Sequence, residues 1–468
     1  VTPDKPITVA VAVLGSLLCL LLPRRFALIP LALSMCLYPC NMILPPDNLG
    51  LTAQRVIAVF LLARCVISPI IRGGFRWGVA DYVASGYFLL MFLSQLISQG
   101  INQALVNRGG FFLSAMAPFW CVRFLIVDLA SFYALLKSLL WAAVPLAIDG
   151  MQYQRSGDSP YYRIMQYGPF FNEWSKFVNR RLFMGELVFR AHAPFLQSIM
   201  FGWFFAIWIV PATNLFFEKC SVLLWIIPWI ALPVGMVSAV AGGPMMLTAF
   251  SVGLLVLFPL RRQGWTLLAV GLSLAVLASV VTNRSFMEIL ANMGMAQDSS
   301  WYRVGLQRFV MGGAMAGHWL AGYGEIPGHF TRFHDLCIQW VCLVVFNGLM
   351  GLVGYYAMIA VAFWSLYKAA QRTQSLQDHW LLWTLMSTLL AAMIAQLVVA
   401  LFAEMNYIFH LFLGLYMNAP LLVGAGARAR QVGILADVKG RPVLLRYTLA
   451  PQQGLAVVPR PGQPPSGA

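Results

Sequence analysis

Residues 336–366 read LCIQWVCLVVFNGLMGLVGYYAMIAVAFWSL, a run with no Asp, Glu, Lys or Arg. A helix needs about 20 mostly apolar residues to cross the hydrocarbon of a bilayer. A helix that is apolar on every face has no side to show to water. The stretch therefore predicts a membrane-crossing helix. It is long for one crossing, and Gly348, Gly351 and Gly354 mark where it is expected to break.

The rest of the chain agrees. Its 468 residues are 60% hydrophobic and 10% charged, against about 25% charged in soluble domains. Most of the surface must then face lipid. Apolar segments fall at 7–22, 26–44, 52–71, 79–98, 111–127, 132–148, 195–215, 220–239, 244–259, 264–282, 336–366, 380–403 and 406–423. The expected fold class is an all-α integral membrane bundle of about 12–13 transmembrane helices with two larger loops. The first apolar run ends at Arg24-Arg25 with no small-residue cleavage site, so it is expected to be a retained helix rather than a removed signal.

The net charge is +15. Much of the excess flanks apolar runs, at Arg24-Arg25, Arg72 with Arg76, Arg261-Arg262, Lys368 with Arg372 and Arg428 with Arg430. Such clusters mark cytoplasmic ends, and alternation through the segments places all five on one side. Membrane lipids, and no nucleic acid, are the expected partners of this charge. The expected layout is N-terminal helices over 1–148, an outer loop over 149–194, central helices over 195–282, a second outer loop over 283–334, C-terminal helices over 335–424, and a disordered cytoplasmic tail over 425–468, which is Pro- and Gly-rich.

Eight cysteines lie in or beside apolar segments, and none forms a CxxC pair. They read as small core residues, with no disulfide framework and no zinc site. No GxSxG, Walker or strand-linked GxGxxG pattern is present, and no His/carboxylate spacing suits a metal. The expected chemistry uses no metal, no ATP and no cofactor.

The two outer loops are rich in cations. Arg155, Arg163, Lys176, Arg180, Arg181 and Arg190 lie in the first; Arg284, Arg303, Arg308 and Arg332 lie in the second. They read either as solvated loops in contact with lipid head groups or as a site for an anion, which the planar fork of Arg suits. Arg190 and His192 sit in RAHAPFLQSIMFG, just before an apolar helix. Arg190 at that depth either snorkels to the interface or is paired. Residues 301–316 predict an amphipathic helix, with Asp298, Ser299 and Ser300 as its N-cap region. Arg303 and Arg308 do not share a face of it, so one is expected at the site and the other at lipid head groups. His334, followed by Asp335, opens the long apolar run. A neutral imidazole there can take a proton from a hydroxyl group, while Asp335 either orients it or caps the helix. Gly322, Tyr323 and Gly324 form a GYG turn, and His318 and His329 flank it as weaker candidates.

These features recur in one order: an Arg opening a helix in an RxxxPF-like stretch (Arg190 to Phe195), an AGGP turn (Ala241 to Pro244), S-x-x-R (Ser300 to Arg303), the GYG turn, and a His before a glycine-rich helix. This order resembles the O-antigen ligase and O-antigen polymerase superfamily of bacterial envelope glycosyltransferases, over residues 180–360 in motif and over the whole chain in topology. The resemblance implies an inverting, metal-independent, GT-C-like enzyme acting on glycans carried by undecaprenyl diphosphate, as donor and acceptor. It would lie in the bacterial inner membrane with its site facing the periplasm. It implies that Arg190 and Arg303 bind the diphosphate, that His334 is the base, and that His192, Arg308, Asp335 and Tyr323 help to bind substrate. The family usually has Asn after the His, where this chain has Asp335, and often an Arg near the AGGP turn, where this chain has none.

The leading expectation is a polymerase of repeat units, working beside a flippase and a chain-length regulator. The ligase reading, transfer of glycan to a lipid A core, uses the same parts. A flippase or transporter of lipid-linked sugar predicts polar residues along the spans and an inverted repeat. The spans read as holding chiefly Arg55, Arg64, Gln95 and Gln396, and no repeat is visible. A non-catalytic scaffold is the remaining class.

Overall fold

The computed structural model describes residues 4–437, apart from 40–41, 45–49, 73–74, 76, 162–179, 184, 219–221, 286, 290–296, 331–332 and 334. Residues Val1–Ala425 form one compact unit and Gly426–Ala468 a second. In chain order the helices are α1 (Asp4–Leu21), α2 (Ile29–Leu37), α3 (Ala53–Ile67), α4 (Pro69–Arg72), α5 (Val79–Gln99), α6 (Ile101–Phe111), α7 (Ala117–Leu125) and α8 (Leu129–Ser156). A hairpin of β1 (Arg180–Phe183) and β2 (Glu186–Phe189) follows. Then come α9 (Ser198–Ala212), α10 (Val222–Ser238), α11 (Gly242–Val256), α12 (Gly264–Thr282), α13 (Gln297–Phe309), α14 (Gln339–Arg372), α15 (Leu376–Gln396) and α16 (Ala403–Asp437). The protein is an all-α membrane protein.

Six stretches are long and apolar enough to cross a membrane among the described residues: Val79–Gln99, Leu129–Ser156, Ser198–Phe217, Gln339–Arg372, Leu376–Gln396 and Glu404–Val423. Four shorter apolar helices, Pro6–Leu21, Ile226–Ser238, Gly242–Val256 and Ala269–Thr282, add to them. This is fewer than the expected 12–13, for backbone reasons that hydropathy does not register. Among the described residues of the apolar segment 26–44, the α-helix spans the nine residues of α2. Pro30 opens α2, and Tyr38, the residue before Pro39, is extended at φ −127° and ψ 131°, as a following proline favours. The segment 52–71 yields α3, capped by the Thr52 side chain and ended at Ser68 before Pro69. Its two arginines turn back into protein, Arg55 to Ser114 Oγ (2.8 Å) and the Gly50 carbonyl, Arg64 to the Cys19 carbonyl. The segment 111–127 is the second half of a continuous helical run in which α6 and α7 are joined by one wide turn at Phe112–Met116.

Two loop boundaries also move. Helix α8, capped by Asp128 and closed by Gly157, continues to Ser156, so the first eight residues assigned to the outer loop are helical. Asp149 is buried on α8 and accepts from Ser159 Oγ and the Tyr161 amide. The tail expected from 425 begins as helix, since α16 continues to Asp437, and 438–468 lie outside the described residues.

Helix α9 is the centre of the bundle. It is buried on all sides, with Trp203, Phe204, Phe205 and Trp208 packed among α8, α10, α11 and α15. Helix α12 is the opposite, with Val270, Leu274, Leu277 and Val281 all exposed, as a lipid-facing helix requires.

The apolar run 336–366 lies on one helix with a break. Gly348 sits at φ 59° and ψ −160° inside α14, a conformation open to glycine alone. The freed groups are satisfied by the chain that carries the GYG turn. The Leu349 amide donates to the Trp319 carbonyl at 2.7 Å, the Met350 amide to Leu320 at 3.2 Å, and the Tyr323 amide to the Val345 carbonyl at 2.7 Å. A Cβ on Gly354 would come within 2.8 Å of Tyr87, so that glycine lets α5 lie close rather than breaking the helix.

Candidate functional site

The hairpin delivers Arg190. Strands β1 and β2 pair antiparallel with Arg181 opposite Val188 and Arg180 opposite Phe189. Gly185, at φ 88°, makes the turn. Arg180 lies over the Phe189 ring at 4.3 Å. Directly after β2 the chain docks on the turn between α10 and α11. The Ala191 amide donates to the Ser238 carbonyl at 3.0 Å, and Arg190 Nε donates to the Ala239 carbonyl at 3.4 Å. Arg190 is buried, so it does not snorkel.

Arg303 arrives from the other loop. The predicted helix 301–316 is present as α13 followed by one wide turn at Val310–Ala314. It starts earlier than expected, so Ser300 lies inside the helix rather than capping it. Arg303 Nε donates to the Val398 carbonyl in the segment between α15 and α16. That segment meets the AGGP turn, because Gly243 packs against Val399. Arg190 and Arg303 are thus anchored on two adjoining turns.

Electrostatics place a third cation with them. Burial first, then Arg181 and Arg303, bring the Arg190 pKa down to about 10. The Arg181 pKa is also lowered, first by burial and then by Arg303. Each of these shifts disfavours the charged form. Three guanidiniums from β1, the end of the hairpin and α13 therefore sit within electrostatic reach of one another. Like charges brought together raise one another's cost, and guanidinium forks suit oxyanions such as phosphate or carboxylate. Arg181 was one cation among many in the sequence. Strand alternation is the signal that separates it from Arg180, since neighbouring residues on a strand face opposite ways.

His192 is buried, edge-on to Tyr153 at 5.4 Å. Burial brings its pKa down to about 4, with Arg190 lowering it too and a hydrogen bond to the Phe195 backbone acting the other way. A neutral imidazole held there supports the backbone beside Arg190. Arg308 is turned away from the cluster, paired with Glu288 and 69% exposed. Tyr323 is at the break in α14. Its hydroxyl donates to the Ala314 carbonyl at 2.8 Å, and its ring stacks on His318 at 4.0 Å. His329 meets the same ring at 5.5 Å. Asp335 is exposed, and its backbone bonds the Tyr302 hydroxyl at 3.2–3.3 Å.

His334 lies outside the described residues. Its chain neighbours are both held on α13. The Phe333 ring lies 5.4 Å from Tyr302 and 5.2 Å from Phe309, and Asp335 is tied to the Tyr302 hydroxyl, one residue from Arg303. The start of α14 is in turn joined to the Val398 segment, with the Ala400 amide donating to the Cys337 carbonyl at 2.8 Å and the Leu401 amide to Gln339 Oε1 at 2.7 Å.

Buried ionic groups within the bundle escaped the sequence reading. Arg123 of α7 forks onto Asp81 of α5 with two contacts of 2.8 Å, and also reaches Asn418 and the Met417 carbonyl of α16. Arg108 of α6 is buried between Gln95 and Asn347. Among the described residues no group of three or more His, Cys, Asp or Glu is placed to hold a metal ion. No known family model matches the chain, and no curated protein matches it.

Proposed function

We propose that the chain is a membrane-embedded, inverting glycosyltransferase that polymerises repeat units carried on undecaprenyl diphosphate, at the outer face of a bacterial inner membrane. The convergence of Arg181, Arg190 and Arg303 carries this reading. In it, a hydroxyl of the acceptor glycan gives its proton to His334 and attacks the anomeric carbon of the donor. The bond from that carbon to the diphosphate oxygen breaks, and the configuration inverts. Negative charge grows on the leaving diphosphate, where fixed guanidiniums in a water-poor site stabilise it most. In this reading the diphosphate of the lipid carrier meets the three guanidiniums, and the apolar bundle supplies a surface for its tail.

The test is the product made by cells that carry Arg181→Gln, Arg190→Gln, Arg303→Gln or His334→Ala in place of the natural chain. The proposal expects glycan stalled at a single repeat unit, resolved by gel, with the variants still present in the membrane. Full-length glycan left unattached points instead to a ligase. Normal polymer from all four variants overturns the glycosyltransferase reading.

A further inference from the structure

Arg108 and Arg123 are buried on neighbouring helices α6 and α7, and the fold treats them differently. Arg123 is 6% exposed and has a full complement: a bidentate carboxylate from Asp81, the Asn418 side chain and a main-chain carbonyl. Arg108 is 8% exposed and has no carboxylate among the described residues. Its Nη2 is shared by two neutral amide oxygens, Oε1 of Gln95 and Oδ1 of Asn347. Its Nε is buried with no partner. Among the described residues the titratable group that acts on it is the Tyr87 hydroxyl. A buried charge without a counter-charge is costly, and Arg123 shows how this bundle meets that cost when it does so with its own residues.

The surroundings are polar and arranged. Gln95 donates its amide nitrogen to Gln99, which fixes the Gln95 oxygen towards Arg108. Asn347 stands one residue before the break at Gly348. Ser94 Oγ donates to the Ala321 carbonyl at 2.9 Å, and Gly324 abuts Ser98 and Gln99. The GYG-bearing turn therefore packs on the residues that frame Arg108, and its neighbours His318 and Leu320 are exposed. Among the described residues the charges that act on Arg190 are those of Arg181 and Arg303, and Arg108 is not one of them.

We propose that Arg108, framed by Gln95 and Asn347 at the break in α14, anchors a second oxyanion site that takes a phosphate or carboxylate group. The naming of its natural source rests on the polymerase reading: an acceptor that is itself lipid-linked brings a second diphosphate, and an acidic sugar brings a carboxylate. The anion binding itself does not rest on that reading.

The experiment is thermal melting of the purified full chain in detergent, titrated separately with inorganic pyrophosphate and with glucuronate. The triple variant Arg181→Gln/Arg190→Gln/Arg303→Gln removes the first cluster and leaves Arg108 intact. It is expected to keep a saturable rise in melting temperature with one of the two probes, and the responding probe identifies phosphate or carboxylate as the source. Adding Arg108→Gln is expected to abolish that rise. Arg108→Lys, which keeps the charge and loses the fork, is expected to weaken apparent affinity by about ten-fold, and it serves where the glutamine variant fails to fold. A triple variant that melts cooperatively yet responds to neither probe overturns the proposal, as does a rise that survives both Arg108 substitutions. Loss of polymer in the Arg190 and Arg303 variants without any Arg108-dependent response overturns the second site and leaves the polymerase reading standing. An Arg108-dependent response with normal polymer in those variants does the reverse.

Discussion

Gly243 packs directly on Val399, so that a Cβ on the glycine would come within 2.6 Å of the valine Cγ2. This contact joins the turn that receives Arg190 at Ala239 to the turn that receives Arg303 at Val398. Gly243→Leu must force the two turns apart, since a packed interior has no room for the added carbons. Activity is expected to fall well below that of Gly243→Ala, which adds one methyl. Both variants should reach the membrane in similar amounts. Equal polymer from the two, at equal protein level, would show that the turns need not adjoin.

Gly348 is the most constrained glycine of the long helix. A side chain there would be strained by φ 59° and would also sit on the Leu320 carbonyl and within 2.6 Å of the Ala321 amide. Gly348→Ala is expected to dislodge the turn from residue 319 to 323 and to lower the melting temperature sharply. Gly312→Ala meets nothing within 4 Å and has an ordinary φ, so it is the matched control and should melt like the natural protein. Proteolysis within the turn, faster in Gly348→Ala than in the control, would locate the damage.

The contrast between these two glycines shows what the sequence discloses. The run 336–366 announces a long apolar helix because it lacks charge, and its three glycines announce a break. Which glycine breaks is decided by the distant turn at 319–323, which supplies carbonyls to Leu349 and Met350 and has no mark in the local pattern. Helix α2 was misread in the opposite sense: Pro30 and Pro39 were visible, but an apolar average does not weigh backbone geometry. The order of motifs singles out Arg190 and Arg303 in the sequence, and the fold anchors them on adjoining turns. Arg181 is not singled out, since only the hairpin register distinguishes it from Arg180. Asp81 and Arg123 do not stand out because one charge barely changes the hydropathy of a long apolar run, and Arg108 falls in the polar gap between the segments 79–98 and 111–127, where a cation reads as exposed.

The Asp81–Arg123 pair holds α5, α7 and α16 together with 0% and 7% side-chain exposure. Removing one member of such a pair leaves an unmatched charge and costs about 3–5 kcal/mol. Asp81→Asn is therefore expected to lower stability severely. Asp81→Asn combined with Arg123→Met, which removes both charges, should recover most of the loss. Denaturation of the four proteins in one detergent closes the cycle. A double variant no better than the single one would mean that the pair contributes through its hydrogen bonds to Asn418 and Met417 rather than by charge balance.

Arg303 and Arg308 lie on one helix and are expected to part company in function. Arg303 reaches inward to Val398, whereas Arg308 is 69% exposed on Glu288. Arg308→Gln is expected to leave polymer length and protein level near those of the natural chain, because exposed ion pairs add little. Arg303→Gln is expected to stop synthesis at equal protein level. Side-by-side gels of the two variants check this, and a reversed order would place the anion on the outer face of α13.

His192 makes the stability of the first loop depend on pH. Its ring is 4% exposed, and its pKa falls from an ordinary 6.5 to about 4 in the folded protein. The unfolded chain takes up a proton below about 6.5 while the folded chain resists until about pH 4. The unfolded state therefore binds more protons between those values, and stability falls as pH is lowered through that window, then levels off below it. The displacement corresponds to about 3 kcal/mol between the two ends. His192→Gln has no such proton to take up. Its melting temperature is expected to be less steep in pH between 6.5 and 4 than that of the natural protein, with the two curves running parallel above pH 7. Parallel curves across the whole window would mean that the imidazole is open to solvent, and that the backbone beside Arg190 is held by something other than the His192–Tyr153 contact.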